Sequence, residues 1–326
     1  MPEQPDHEPV QPEPGAGPAA GSAPDGATGS AAPSGVIHDI GYRGYNGPRL
    51  GRGAIARALF VHNLRGMYGL GRSGRSKVLP FGLFAVMCMP ALIMAAIAVV
   101  LAQQGLMSQL PVPYSRYAVI LQAVTAIFLA AQAPQVVSLD LRYKTIPLYL
   151  SRPLERVDYA VAKAGAVATG VFILLATPLV VLYVGALIAE FPVGEHTADF
   201  VLALLGAALF ALVLSGVSVL IASLTPRRGF GIAAIVTVLA LSTAVVSALQ
   251  GIVGHAEGNM TAAGWIGLFS PFTLVDGVQV WAFGASSSAA AGPPGNGGGA
   301  VFALVTLAVI AGSFALLVRR YEKVAT

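Results

Sequence analysis

Charged residues are scarce in this chain: Asp, Glu, Lys and Arg together make up 10% of its 326 residues, whereas 56% are hydrophobic. Soluble domains carry about 25% charged residues. A water-soluble fold of this length would have to hide more apolar surface than its core can hold. The composition therefore excludes a water-soluble enzyme as the first interpretation.

Cysteine is almost absent as well. Cys88 is the only one, and it lies in an apolar run. This excludes a disulfide within the chain and a cysteine-based metal site. Lys and Arg are missing from the first 35 residues, which are rich in Pro, Gly and Ala. That segment lacks the features of a signal peptide, and we expect residues 1–36 to form a disordered tail.

Long apolar runs are what the chain does contain. Each of six stretches can cross a bilayer core of about 30 Å. They cover residues 79–102, 117–139, 164–189, 200–224, 230–253 and 300–318. Backbone polar groups in hydrocarbon must be bonded within the segment, so these stretches are predicted to be helices. None contains Asp, Glu, Lys, Arg or His, which disfavours an ion-coupled carrier or an intramembrane hydrolase.

The basic residues predict the orientation of these spans. The chain has 19 Lys and Arg residues, and with six spans all but Arg116 fall on one side. By the positive-inside rule that side is the cytoplasm, so both termini are predicted to be cytoplasmic. The excess of Lys and Arg over Asp and Glu suits an anionic membrane surface. We therefore expect this chain to contact a lipid bilayer and not a nucleic acid.

The predicted fold is an all-α membrane protein with six transmembrane helices, an N-terminal cytoplasmic amphipathic helix and a disordered tail. The amphipathic helix is expected near Ile55–Met67, where apolar residues recur at helical spacing. Residues 254–283 are read as outer, interfacial or re-entrant structure, and residues 284–299 as a flexible outer loop. The resulting division is tail 1–36, basic and amphipathic segment 37–78, membrane domain 79–320 and cytoplasmic tail 321–326.

Two sequence signals for a ligand site are weak. Gly69–Ser76 resembles a phosphate-binding loop but has Arg75 where Lys is needed, and no strand precedes it. Four residues of metal-binding type lie in the predicted outer loops, without a fixed geometry to bring them together: His196, Asp199, His255 and Glu257. We therefore expect no nucleotide, metal or catalytic site on this chain.

The second apolar stretch carries a polar side. Gln122, Thr125, Gln132 and Gln135 fall within an arc of roughly 140° at 100° per residue, so they share one face of a helix. This face either lines a substrate route or makes hydrogen bonds to neighbouring helices. Nothing in the spacing decides between these two uses.

The segment between the second and third stretches, residues 140–158, is too apolar for a passive linker. It mixes charges with Leu141, Tyr143 and Leu148, and two prolines divide it into short pieces. Such a segment is typical of a short docking helix with an aromatic and apolar contact face. A loop that only snorkels its basic residues at the membrane surface has the same composition.

This arrangement resembles the permease subunit of a type-2 ATP-binding-cassette exporter. The resemblance rests on the interfacial helix, six spans, the 140–158 segment and a broken outer segment before the last span. The run from Asp140 through Pro147-Leu-Tyr-Leu-Ser151-Arg-Pro153 to Arg156, Tyr159 and Lys163 is similar to the family's acidic residue, Leu-rich turn and S-x-P pattern. The resemblance covers about 270 residues, and the Pro-, Ala- and Gly-rich composition suggests an actinobacterium.

The resemblance implies a division of labour in a bacterial plasma membrane. A separate cytoplasmic ATPase subunit would hold ATP and Mg²⁺, so this chain itself would carry no cofactor. A second permease copy or homologue would complete the route for an unidentified drug, lipid, peptide or glycan. The residues implied to couple to the ATPase are Asp140, Arg142, Tyr143, Pro147, Leu148, Ser151, Pro153, Glu155 and Arg156. The alternative is a membrane scaffold or sensor that recruits a cytoplasmic regulator.

Overall fold

The computed structural model describes residue 47 and the ranges 51–151 and 153–324, and the regular elements in this part of the chain are helical. The expected tail 1–36 lies outside the described residues. In chain order the α-helices are α1 (Arg52–Met67), α2 (Arg75–Gln103), α3 (Tyr114–Ile120), α4 (Gln122–Arg142), α5 (Ile146–Leu150), α6 (Arg156–Ile188), α7 (Val193–Leu224), α8 (Arg228–Gln250), α9 (Met260–Ile266), α10 (Pro271–Phe283) and α11 (Gly295–Val324).

Six of these helices are long and apolar enough to cross a membrane: α2, α4, α6, α7, α8 with the π-helical turn that continues it, and α11. The predicted six-span, all-α fold is therefore confirmed, and the chain is a multi-pass membrane protein by the length and composition of its helices. The six spans alternate in direction. We call the end that holds α1, α5 and the last residues of α11 the basic end, and the other the opposite end.

Helix α4 is the central helix of the bundle. Buried residues make up 61% of its most apolar stretch, against 22% in α2, 17% in α8 and 22% in α11. Ser138 in α4 donates a hydrogen bond to the carbonyl of Ala222 in α7 at 2.9 Å. A movement of α4 must therefore be shared by the helices packed around it.

Several span boundaries differ from those expected, among them the start of α7 at Val193 rather than near residue 200. Helix α6 begins at Arg156 rather than near residue 164, because Glu155 and Asp158 form a capping box that starts the helix earlier. The second span is interrupted at Leu121, which separates α3 from α4. Tyr117 in α3 donates a hydrogen bond to the carbonyl of Met87 at 2.5 Å and fastens this short helix to α2.

Between α8 and α11 a helical hairpin, α9–α10, enters the bundle from the opposite end and returns to it. Ser270, just before α10, lies 3.3 Å from the hydroxyl of Thr243 well inside α8. Helix α10 then runs antiparallel to α11, so that Gly277 meets Phe302 and Trp281 meets Gly299. The hairpin is re-entrant, one of the arrangements expected from the sequence. The loop expected to reach residue 299 ends earlier, because α11 begins at Gly295.

Candidate coupling site at the basic end

Helix α1 packs along the first turns of α6. Its Phe60 ring lies against Gly165 of α6. Met67 packs closely on Gly170 of α6: a Cβ added to Gly170 would lie only 2.7 Å from Cε of Met67. The apolar residues predicted to form one face of α1 are buried or half-buried, whereas Arg57, His62 and Arg65 are exposed. The helix predicted near Ile55–Met67 is therefore present, and its apolar face is covered by protein.

The residue after α1 strengthens this contact. The hydroxyl of Tyr68 donates a hydrogen bond to the carbonyl of Gly170 at 2.7 Å. Burial raises the pKa of Tyr68 well above its usual range, so the hydroxyl remains a donor at any physiological pH. The end of α1 is thus tied to α6 by a bond that does not titrate.

The start of α1 is tied to the start of α6 by charge. Arg52 Nη2 lies 2.9 Å from Asp158 Oδ1, Arg52 Nε lies 2.5 Å from Asp158 Oδ2, and the same guanidinium contacts Glu155. Both carboxylates belong to the capping box of α6. This ion pair is exposed, so solvent screens it and it contributes orientation more than stability.

A second ion pair lies inside the bundle. Lys163 of α6 is 2% exposed, and its Nζ lies 2.6 Å from Oδ2 of Asp140 in α4, which is 16% exposed. The same Nζ donates to Asn63 Oδ1 in α1 at 3.0 Å and to the carbonyl of Val136 at 2.6 Å. An ammonium has three protons to donate, and here three oxygens receive them. A buried charge is tolerated only when it is paired and hydrogen-bonded in this way.

Aromatic rings extend this cluster to two further helices. Tyr159 donates a hydrogen bond to Asp140 Oδ2 at 2.7 Å. Its ring packs edge-on against Tyr321 of α11, with centroids 5.0 Å apart. It also packs, in a tilted arrangement, against Tyr149 of α5, with centroids 5.7 Å apart. The buried cluster of Asn63, Asp140, Tyr159, Lys163 and Tyr321 therefore joins α1, α4, α6 and α11, with α5 resting on it.

The connection from α4 to α6 covers this cluster and presents its own outer surface. Ile146 and Leu154 are buried and anchor it, with 1% and 6% exposure. Tyr143 and Leu148 are 66% and 69% exposed, and the Arg142 guanidinium lies 5.7 Å from the Tyr143 ring centroid. The other expected coupling residues Pro147, Ser151, Pro153, Glu155 and Arg156 are exposed as well. A rigidly seated segment thus displays apolar, aromatic and basic groups to solvent.

An apolar groove of about 380 Å³ runs beside this surface, between α1 and the α4–α6 connection. Ile55, Leu59 and His62 line it on the α1 side, and Tyr149 and Leu154 line it on the other. The exposed connection and the groove form one continuous surface at the basic end. We call it the coupling surface.

No protein-family model matches this chain, and no curated protein matches it. In the coupling surface, the exposed side chains of Tyr143 and Leu148 lie above a cluster in which Lys163 is bonded to both Asp140 and Asn63. That arrangement is typical of a docking surface on a rigid support.

The four polar residues predicted on one face lie along α4. Thr125 and Gln132 are buried inside the bundle, with 0% and 4% exposure. Gln135 instead donates to the carbonyl of Gly66 at 3.1 Å, and its oxygen lies 3.5 Å from Arg228. The side-chain oxygens of Gln122, Thr125 and Gln132 have no hydrogen-bond partner among the described residues. Gln135 thus makes an interhelical contact, and the substrate route along the other three stays a prediction.

The two weak ligand signals gain no support. Within residues 51–151 and 153–324, no three His, Cys, Asp or Glu side chains come together as a metal site would require. His196 lies 3.2 Å from the Tyr114 hydroxyl and stacks on Phe191, while His255 and Glu257 are exposed. Gly69–Ser76 forms the turn between α1 and α2, with a helix on each side.

Sequence reasoning named Lys163 only as part of the family-like pattern, without a partner, and missed Asn63. Lys163 was counted with the basic residues outside the spans, because the apolar run begins only at residue 164. The capping pair Glu155 and Asp158 is the signal that would have extended the helix past Lys163. Once Lys163 lies in a helix two turns from the start, it needs a buried acceptor, and Asp140 supplies it.

Proposed function

We propose that this chain is the membrane-spanning permease subunit of an ATP-binding-cassette exporter. It would move a substrate out of the cytoplasm with energy from ATP, hydrolysed together with Mg²⁺ on a separate ATPase subunit. In this proposal the basic end faces the cytoplasm of a bacterial cell, which the concentration of Lys and Arg at that end supports. A second copy of the chain, or a homologue, completes the transporter.

The observation that carries the proposal is the attachment of the coupling surface to the buried cluster. Asp140 lies in the last turn of the central helix α4 and contacts both: its backbone carbonyl accepts a hydrogen bond from the amide of Thr145 at 3.0 Å, and its carboxylate bonds Lys163 and Tyr159. A force on the exposed connection is therefore delivered directly to α4, α6 and, through Tyr321, α11.

This arrangement suits a two-state transmission. A partner that changes shape on ATP binding biases a membrane domain only through contacts that differ between its two states. The coupling surface offers apolar and basic groups for such contacts, and the paired cluster below it makes the attached helices move as packed units. The unpaired oxygens of Gln122, Thr125 and Gln132 on α4 support this helix as the polar wall of the route, because buried polar groups in a membrane need partners.

The first test is co-purification. The tagged chain is expressed with its neighbouring reading frames and purified in mild detergent, and ATP hydrolysis is then measured. We expect an ATPase whose turnover depends on this chain. Two results together would favour the scaffold alternative. The folded chain would co-purify with no nucleotide-binding protein, and deletion of residues 1–36 would abolish its binding to another cytoplasmic partner.

A matched pair of substitutions then tests the surface itself. Leu148→Asp places a charge on the coupling surface, where Leu148 is 69% exposed, and Leu106→Asp does the same in the α2–α3 loop at the opposite end, where Leu106 is 71% exposed. We expect Leu148→Asp to reduce ATPase association at least about tenfold, since it removes an apolar contact and buries a charge against the partner. Leu106→Asp should leave association unchanged. Equal behaviour of the two variants contradicts the assignment of the surface.

A further inference from the structure

A second site of defined chemistry lies at the opposite end of the molecule, about a span's length from the coupling surface. A pocket of about 160 Å³ is enclosed by α3, α7, α10 and the turn that follows α10. Its polar lining comes from Tyr114 and Ser115 of α3, Asp199 of α7 and Gln279 of α10, and Phe283 adds an aromatic wall.

The wall formed by Gly284–Ser286 is held in place by the residues beside it. Asp276 of α10 is 3% exposed and accepts hydrogen bonds from the Ser288 amide at 3.0 Å and the Ser287 hydroxyl at 3.3 Å. Arg116 of α3 donates to the Ser287 carbonyl at 2.8 Å. Gly284 adopts the left-handed conformation, with φ of 67°, that turns the chain out of α10. The pocket is therefore preformed between fixed elements.

One lining residue has unused hydrogen-bonding capacity. Gln279 is 2% exposed, and its amide nitrogen Nε2 has no acceptor among the described residues. The side-chain oxygen of Gln279 packs against Gly206 of α7. A Cβ added to Gly206 would lie 2.3 Å from Oε1 of Gln279. The glycine thus makes room for the amide beside the pocket. Leaving a buried amide donor unpaired is costly, so a ligand that supplies an acceptor there gains affinity.

The charge of the pocket lining indicates which kind of ligand it would bind. Asp199 is the one charged side chain that lines the pocket among the described residues, and it is exposed to solvent. The aromatic rings of Tyr114 and Phe283 lie in the same lining. A carboxylate beside aromatic rings favours an organic cation. The pocket volume of about 160 Å³ suits a small polar group.

We propose that this pocket binds a small amino alcohol group, with its ammonium on Asp199 and its oxygen accepting from Gln279 Nε2. The proposal goes beyond the transport function and does not depend on it. Such a group comes either from a free amino alcohol or from the head group of an ethanolamine lipid at the membrane surface. Ethanolamine is the probe for the first source, and phosphatidylethanolamine for the second.

The test is calorimetric titration of ethanolamine into the full chain at pH 7, in nanodiscs of phosphatidylcholine alone. We expect saturable binding that Asp199→Asn weakens at least about tenfold, since the ammonium loses its counter-charge, and that Gln279→Leu weakens severalfold. Glu195→Gln is the matched control, because Glu195 is exposed in the first turn of the same helix and does not line the pocket. It should bind as the unmodified chain does.

Ligand analogues and lipid composition complete the test. Propylamine lacks the acceptor and ethylene glycol lacks the charge, so both should bind more weakly than ethanolamine. In nanodiscs that contain phosphatidylethanolamine, a lipid source predicts a weaker apparent affinity for free ethanolamine, whereas a free-ligand source predicts no change. The proposal is overturned if ethanolamine shows no saturable binding in phosphatidylcholine discs. It is also overturned if Asp199→Asn and Glu195→Gln, both eluting as folded monodisperse protein, have the same affinity.

Discussion

The buried pair of Asp140 and Lys163 provides the sharpest test of the basic end. Lys163→Met keeps the length and apolar stem of the side chain but removes its charge. The Asp140 carboxylate then keeps its hydrogen bond from the Tyr159 hydroxyl at 2.7 Å, and with 16% of its side chain exposed it also keeps contact with solvent. Asp140→Asn instead leaves the ammonium of Lys163, only 2% exposed, with neutral acceptors alone.

Removing one member of a buried ion pair costs about 3–5 kcal/mol in proteins. We expect Lys163→Met to lower the free energy of unfolding by an amount near the lower end of this range, because Asp140 keeps a hydrogen bond and some water. Asp140→Asn should fall near the upper end. The double variant removes both charges and should cost less than the sum of the single changes, by about 0.5–3 kcal/mol.

The measurement is equilibrium unfolding by sodium dodecyl sulfate in mixed micelles, followed by tryptophan fluorescence. Arg52→Met is the control, because it breaks an exposed ion pair that ties another helix, α1, to the start of α6; the side chains of Arg52 and Glu155 are 48% and 63% exposed. Its effect should be smaller than either buried change. If Lys163→Met and Asp140→Asn are no more destabilising than Arg52→Met, burial of the pair is not what holds these helices together.

Three further outcomes are expected. Gly185→Ala should lower the free energy of unfolding by about 1–3 kcal/mol, because the added Cβ would lie 2.4 Å from the facing Cβ of α2 and 3.0 Å from the α2 backbone. Gly82→Ala is the control, because a Cβ at Gly82 would have nothing within 4 Å. Equal melting temperatures of the two variants would contradict this packing. Asn63→Leu should cost about 1–3 kcal/mol by removing an acceptor from Lys163, and unchanged unfolding in detergent titration would contradict that bond. Gln132→Glu should abolish transport in a complementation assay while ATPase association persists, and normal transport would remove α4 from the route.

The membrane-spanning part of the fold could be predicted from composition alone. Apolar runs long enough to cross a bilayer leave the backbone no alternative to helix, so the six spans follow from the sequence. The apolar face of α1 was equally predictable, because Leu59 and Met67 recur at helical spacing and both are buried. Local pattern and tertiary packing agree in these elements.

The buried cluster could not be read in the same way. Asn63, Asp140 and Lys163 come from three separate helices, and a pairing of this kind is a property of the packed bundle. Hydropathy placed Lys163 between the second and third predicted spans, because a charged residue ends an apolar run. The pocket at the opposite end was missed for a related reason: Asp199 and Gln279 are distant in sequence and meet only after the α9–α10 hairpin folds back.

That hairpin has a consequence for how the protein is made. Helix α10 has 13 residues, about 20 Å at 1.5 Å per residue, and it is too short to be integrated as a span of its own. It buries Asp276 and packs on α7 and α11, and α11 follows it in the chain. The hairpin therefore completes its packing only after α11 has been synthesised. Chains that stop before Gly295 would leave the side of α10 that faces α11 uncovered, at Gly277 and Trp281.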